Sequence, residues 1–229
     1  MPKLTTDLLR TYSEAALRNA DELYAEAAVL LEHGHVARAY FLAVSSIEEA
    51  GKALQAFDAQ LRNLSDPAVC TRLKAGMESH AQKINYAMSM WAMHCPDPRA
   101  ALKVAIDLVI DLQHGREPAM YTDLRSDPDR AQLPSDIVRA EAATDCVRLA
   151  RDCLANAHRH VSEREPTKFT SKHDRLFTMK SRRFQEMLKT EDFWWFYITR
   201  MEVGQQDFAE AVLEYENNHV KTGVPFRSD

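Results

Sequence analysis

The sequence predicts an all-α protein, and three observations carry that prediction. Only six glycines occur among 229 residues, too few for a β-rich fold with many tight turns, whereas Ala, Leu, Glu, Arg and Gln are plentiful. Apolar residues recur at alternating spacings of three and four between Val36 and Phe57, which is the pattern of one face of a long helix. Two Asp-Pro pairs each combine a helix N-cap with a proline suited to the first turn.

The first two helices form an antiparallel hairpin. Helix one is predicted over Thr6–His33, with Thr6 or Asp7 as its N-cap and Gly34 in the left-handed position that follows its last turn. The helix from Val36 follows at once, so the two must lie side by side. The further helices are predicted over 67–94, 98–113 and 135–163, with a long loop at 115–135.

The helix Val36–Phe57 organises the rest of the chain. At about 100° per residue its charged side chains share a sector opposite the apolar stripe. This sector is either a solvated face or a partly buried polar network, and the uncharged run 39–47 just before it favours the network. Arg38 and Lys52 are expected to neutralise Glu48 and Glu49 there. The two adjacent glutamates diverge by about 100° and so do not form a pair of catalytic carboxylates.

Composition and charge argue against several classes of function for this chain, namely DNA-binding, membrane and metal-binding proteins. A net charge of −5 and a pI near 6.0 argue against a protein covered in basic surface, and DNA is not an expected partner. No apolar run approaches the roughly 20 residues of a membrane span, and the N-terminus lacks an apolar signal region, so a cytoplasmic protein is expected. The four cysteines form no CxxC pair, which predicts reduced thiols and neither a metal nor a cofactor.

After Pro166 the composition changes, and this change divides the chain into a helical bundle, 1–165, and a helical extension, 166–229, expected to pack on it. Residues 168–189 carry seven basic and two acidic side chains, a local charge of +5 from seven minus two. Basic residues interleaved with phenylalanines can contact RNA, and Lys180, Arg182 and Arg183 are the candidates. The alternative is an amphipathic helix whose phenylalanines dock inward. A last helix is predicted from Thr190 to Val220.

Three blocks of sequence resemble one protein family. The segment HVARAYFLAVSSIEEAGKAL, residues 35–54, resembles the signature helix of the AbiV abortive-infection family in the HEPN superfamily. Two shorter blocks, SHAQK and REPAMYTDL, follow in the family's order. The residues that carry the resemblance are Arg38, Ala39, Tyr40, Leu42, Ile47, Glu48, Glu49, Gly51 and Lys52, then His80 and Lys83, and then Glu117, Tyr121 and Asp123.

The resemblance implies a HEPN-like helical bundle that acts in phage defence, and it draws attention to Arg151, Asp152 and His158. These three fit the pattern of HEPN ribonucleases, an arginine followed by a polar residue and, after four to six intervening residues, a histidine; six residues separate Arg151 from His158. Seven residues turn a helix through about 700°, so Arg151 and His158 share a face. An arginine can stabilise charge on a phosphate, and a histidine can move a proton near neutral pH. A pattern this loose also arises by chance, and the alternative is a structural Arg and His on a helix surface.

The sequence is compatible with two functions. One is a metal-independent endoribonuclease that halts translation, working as a homodimer around the helix that carries the motif, with Ala140, Thr144, Val147 and Leu154 packing against their own copy. The other is a non-catalytic protein that binds a phage-encoded trigger or a host protein. In that case Tyr121 and Asp123 in the loop 115–135 are candidate partner contacts, and Arg38, Glu48, Glu49, Lys52, His80 and Lys83 form a structural network.

Overall fold

A computed structural model describes residues 3–126, 129–179, 181–188, 190–205 and 207–226. The helices and strands of the first part of the chain are α1 (Thr6–Glu32), α2 (Val36–Asp58), α3 (Pro67–Glu78), α4 (His80–Met93), α5 (Pro98–Gly115), β1 (Asp123–Ser126), β2 (Asp129–Gln132), α6 (Pro134–Ile137) and α7 (Ala140–Glu163). Those that follow are α8 (Ser171–Thr178), α9 (Ser181–Leu188), α10 (Glu191–Glu202), α11 (Phe208–Tyr215) and a short π-helix (Glu216–Val220). The predicted all-α fold is confirmed.

Helix α2 packs against α1, α4 and α7, so it is the central element of a helical bundle. Most of its apolar side chains are buried, including Val44 and Ile47, whereas Phe41 and Leu42 are half-buried. Two buried serines join α1 to α2: Ser13 Oγ donates to the carbonyl of Ala53, and Ser46 Oγ donates to that of Ala20, both at 2.8 Å. Because small residues lie along this contact, the two backbones approach closely enough for serine to bridge them.

Helix boundaries agree with the cap signals at several points. Asp66 Oδ1 accepts from the backbone N–H of Ala68 at 2.8 Å, and α3 begins at Pro67. Gly34 has a φ of 77° directly after α1. The N-cap of α1 is Thr5, not Thr6 or Asp7, because the Thr5 hydroxyl accepts from the N–H of Leu8.

Three predicted helices are interrupted. The single helix expected over 67–94 divides at Ser79, whose extended backbone and hydroxyl cap α4. The helix expected from Ser135 divides at Val138 and Arg139, where both residues are extended, into α6 and α7. The basic stretch forms two short helices, α8 and α9. The last predicted helix divides at Gly204, whose φ is 83°. The expected loop 115–135 contains the antiparallel pair β1–β2.

The chain forms two compact units. The first comprises residues up to Gln60 and Leu73–Thr167, and the second comprises Leu61–Arg72 and the chain from Lys168 onward. Phe193 is fully buried at the centre of the second unit, edge-on to Tyr215 at 5.3 Å between ring centroids. Asp192 Oδ2 accepts from the hydroxyl of Tyr215 at 2.8 Å and from the N–H of Phe226 at 2.7 Å.

Candidate functional site

A glycine brings α2 and α4 into close contact beside the charged cluster. A Cβ atom on Gly51 would lie 2.0 Å from the backbone oxygen of Lys83, so only glycine permits this helix crossing. Gly115 has a similar place at the end of α5, where a Cβ would lie 2.6 Å from the hydroxyl of Tyr40. These two contacts fix α4 and the end of α5 against α2, and the charged side chains of all three segments converge there.

Glu48 is the centre of this convergence, and its residue is only 3% exposed. His80 Nδ1 lies 2.7 Å and Lys83 Nζ 3.0 Å from Glu48 Oε2. Arg116 Nε lies 3.0 Å from Glu48 Oε1, but the alignment is not that of a hydrogen bond, and both atoms are buried without one. One buried carboxylate therefore faces an arginine, a lysine and a histidine, which compensate its charge by proximity.

The structure assembles only part of the predicted network. Glu48, His80 and Lys83 lie together, whereas Glu49 and Lys52 form a separate ion pair along α2. Arg38 is exposed and makes no ion pair with either glutamate among the described residues, so the expectation that it neutralises them is wrong.

Arg116 was missed by the sequence reasoning, and it takes the place in the network that was expected for Arg38. Its guanidinium also lies 5.2 Å from the ring centre of Phe41. The only sequence signal was its position directly before Glu117 in the third block of the family resemblance.

The predicted motif lies on the solvent-exposed side of α7. The side chain of Arg151 is 58% exposed, and its Nε and Nη2 both donate to Oδ1 of Asp152 at 3.1 Å. Asp152 also lines a groove of about 580 Å³ with Tyr40, Trp91 and Arg148. This groove is large enough for a small ligand or part of a polymer.

His158 has a carboxylate partner from another helix. Its Nε2 lies 2.9 Å and 3.1 Å from the two oxygens of Asp21 on α1, and its side chain is 49% exposed. A carboxylate placed in this way fixes the orientation of an imidazole ring. Asp21 was not predicted, since it belongs to no motif and lies 137 residues away in sequence.

The arrangement on α7 brings the motif residues to one helix but not into contact. No described hydrogen bond or ion pair joins Arg151 to His158, and seven residues separate them by about 10 Å along the axis. Two groups at that distance can contact neighbouring parts of one extended polyanion, a phosphate at Arg151 and a sugar hydroxyl at His158. The role of Arg151, Asp152 and His158 stays a prediction.

The face of α7 expected to pair with its own copy lies partly inside the protein. Val147 and Leu154 are both buried, and Leu154 packs in an apolar cluster with Leu17 and Leu54. This part of the predicted dimer face is therefore wrong, because the stripe closes the core of the first unit instead.

The candidate RNA contacts are only partly described. Arg182 is exposed and pairs with Glu186, one turn further along α9. Lys180 lies outside the described residues, and so does the side chain of Arg183. The loop candidates are open to solvent: Tyr121 is 63% exposed, and Asp123 begins β1, where its Oδ1 accepts from the N–H of Leu124.

The described residues contain no group of three or more His, Cys, Asp or Glu side chains arranged to hold a metal ion. Burial raises the pKa of the Cys146 thiol to about 12 and also raises the pKa of Cys153, so both thiols stay protonated near neutral pH. Within the described ranges, no helix has the length and apolar character needed to cross a membrane.

Comparison with known protein families identifies a family for this chain. The family model described as AbiV, one of the HEPN models, matches residues 8–155, which is well over half of the chain. The match contains α2 with Glu48 and Gly51, all of α4 and α5, and the first two motif residues of α7. No curated protein and no solved structure is significantly similar to the chain.

Proposed function

Since the chain belongs to the AbiV family of HEPN proteins, we propose that it acts in abortive infection as a metal-independent endoribonuclease whose site is the exposed side of α7. One observation carries this proposal: Arg151 and His158 are both exposed on one helix, and the carboxylate of Asp21 holds the imidazole of His158. An RNA strand can reach both side chains without any change in the core.

The proposed chemistry is attack of a ribose 2′-OH on its own 3′-phosphate. The 2′-oxygen forms a bond to phosphorus while the bond to the 5′-oxygen breaks, leaving a 2′,3′-cyclic phosphate and a 5′-hydroxyl. His158 accepts the proton of the 2′-OH, and Asp21 stabilises the imidazolium that forms. Arg151 leaves Asp152 to stabilise the charge that develops on the phosphate. The leaving oxygen takes its proton from a second acid.

A homodimer would supply that second acid, because two copies of α7 would bring two histidines to one strand. Light scattering at micromolar concentration is then expected to report twice the chain mass of 26.1 kDa. A monomer at every concentration tested would contradict the two-histidine mechanism. The dimer contact cannot use Val147 and Leu154, since both are buried within one chain.

The decisive experiment incubates purified protein with total RNA in the presence of EDTA. We expect cleavage by the wild type and its loss in both Arg151→Ala and His158→Ala. Arg10→Ala is the matched control, because the side chain of Arg10 is 58% exposed like that of Arg151 and pairs with the carboxylate of Asp7, but it lies on α1 and does not line the groove beside Asp152. Cleavage that survives in both motif variants, or that is absent from the wild type, would contradict the proposal.

A second candidate function is non-catalytic binding of a phage-encoded or host protein. It is favoured by the hairpin β1–β2, where Leu124 is 84% exposed; Tyr121 and Leu133, which flank the hairpin in sequence, are also exposed. Exposed apolar side chains on a short hairpin are suited to contact a partner.

A translation assay in cell extract separates the two functions. For the binding function we expect Leu124→Asp to abolish inhibition of translation while Arg151→Ala leaves it intact. The reverse result is expected for the endoribonuclease.

A further inference from the structure

A cavity of about 380 Å³ in the second unit lies among Arg72 on α3 and the residues of α8 and α9. The polar part of its lining consists of two arginines, Arg62 and Arg72, and one histidine, His173, and no described acidic side chain lines it. The remaining lining is apolar and includes the rings of Phe177 and Phe184. Its volume is within the usual range of small-molecule sites.

One wall of the cavity is built around a fixed cation. The guanidinium of Arg62 lies between two aromatic rings, with its central carbon 3.6 Å from the ring centre of Phe169 and 4.1 Å from that of Phe177. Arg62 Nη1 also lies 2.7 Å from Oδ1 of the buried Asp174, whose other oxygen accepts from the N–H of Asn63. The charge of Arg62 is compensated, and its position is set by contacts on three sides.

The charge of Arg72 is not compensated in this way. Arg72 is half-buried and forms no ion pair with any described residue. His173 adds a polar group: its Nδ1 is engaged by Thr170, at 3.3 Å from the backbone nitrogen and 2.7 Å from the hydroxyl oxygen, so Nε2 is the ring nitrogen left to contact a ligand. A partly desolvated guanidinium without a counter-charge is unfavourable, and an anion in the cavity would relieve that cost.

We propose that this cavity binds a nucleoside monophosphate unit, either a free nucleotide or one residue of single-stranded RNA. The phosphate pairs with Arg72 and accepts from His173, and the base packs against the rings of Phe177 and Phe184. A flat aromatic base matches the ring-lined wall, and a single anionic group matches the single uncompensated arginine. The inference does not rest on the endoribonuclease function, because Arg151 and His158 take no part in this site.

Isothermal titration of the full chain tests the site with AMP, UMP, adenosine and inorganic phosphate as separate probes. We expect saturable binding of the two nucleotides, and affinities at least about tenfold weaker for adenosine and for phosphate alone, since each lacks one half of the contacts. A short oligouridine distinguishes the two sources: competition with UMP indicates an RNA strand, and its absence indicates a free nucleotide. Equal binding of adenosine and AMP, or no saturable nucleotide binding, would overturn the proposal.

Two variants locate the site. Arg72→Gln is expected to weaken AMP binding at least about tenfold by removing the charge that pairs with phosphate. Arg175→Gln is the matched control, because Arg175 is exposed on α8 and does not line the cavity. Phe184→Leu should weaken AMP about tenfold while leaving phosphate unchanged. Unaltered AMP binding in both Arg72→Gln and Phe184→Leu would place nucleotide binding elsewhere and refute the assignment. RNA cleavage by the same variants is measured separately, so a negative result for nucleotide binding in the cavity does not contradict the function proposed for α7.

Discussion

Replacing Gly51 with alanine should destabilise the bundle by about 2 kcal/mol. The added Cβ would lie 2.0 Å from the backbone oxygen of Lys83 and 2.8 Å from the attached carbonyl carbon, whereas real Cβ contacts are essentially never shorter than 3.0 Å. The helices must therefore separate by about 1 Å at their crossing. The obstacle is backbone, so no side-chain rotation can relieve it.

Two opposing effects set the size of the loss. Overpacking of a filled interior costs roughly 1–3 kcal/mol, and a rigid backbone obstacle belongs at the upper end of that range. Alanine in place of glycine inside a helix stabilises the folded state by about 1 kcal/mol, because the unfolded chain loses less conformational entropy on folding. The difference is a net loss of about 2 kcal/mol. Separation of the helices would also disturb the 3.0 Å contact between Lys83 and Glu48, which adds to the loss.

Urea unfolding followed by the helical circular dichroism signal measures this difference as a shift in midpoint. Gly76→Ala is the matched control, because its Cβ would meet only the mobile ends of Gln82 and Gln55, at 3.1 Å and 3.2 Å. We expect Gly76→Ala to be neutral or stabilising by up to about 1 kcal/mol. If Gly51→Ala proves as stable as Gly76→Ala, the reasoning about close approach of α2 and α4 is wrong.

Three further changes probe the core and the charges. Glu48→Ala should lower the free energy of unfolding by about 3–5 kcal/mol because it leaves its buried lysine partner unpaired. Arg38→Ala should change it by less than about 0.5 kcal/mol because Arg38 is exposed. Equal urea midpoints for the two variants would show that the network is not coupled to folding. Raising the pH above 9 should progressively weaken the fold, since the unfolded thiols of Cys146 and Cys153 lose a proton there that the folded ones keep. An unchanged alkaline slope of the unfolding free energy in Cys146→Ala would contradict this. Leu154→Glu should unfold the first unit rather than split a dimer, because Leu154 is a core residue. A variant that keeps its helical circular dichroism signal would refute the assignment of Leu154 to the core.

Helix positions followed from the sequence where a local signal decides them. The start of α3 at Pro67 and the end of α1 before Gly34 depend on a cap, a proline and a left-handed glycine within a few residues. The interruption at Ser79 was missed because serine interrupts a helix only when the chain must turn there. That requirement comes from the distant packing of α4 on Gly51. The end of α10 at Glu202, just before Gly204, was also missed, because the apolar pattern continues past this glycine and suggested one long helix.

In the candidate site, too, the sequence predicted the residues that a local signal marks and missed those that depend on distant contacts. Glu48, His80 and Lys83 were grouped through the family resemblance, and the fold places them within hydrogen-bond distance. Arg116 and Asp21 were not foreseen, because their contacts join segments far apart in the chain and carry no spacing pattern. Sequence periodicity identifies which face of a helix is buried, but it does not identify which distant helix supplies the partner.

The path of the chain has a consequence for dissecting the protein. The segment Leu61–Arg72 belongs to the second unit although the first unit continues on both sides of it in sequence. A fragment ending near residue 165 would keep Arg62 but lose Asp174 and both phenylalanines that enclose its guanidinium. A fragment beginning there would keep those groups without the arginine. No single cut in the chain therefore yields two intact units, because each cut separates at least one unit from part of its own sequence.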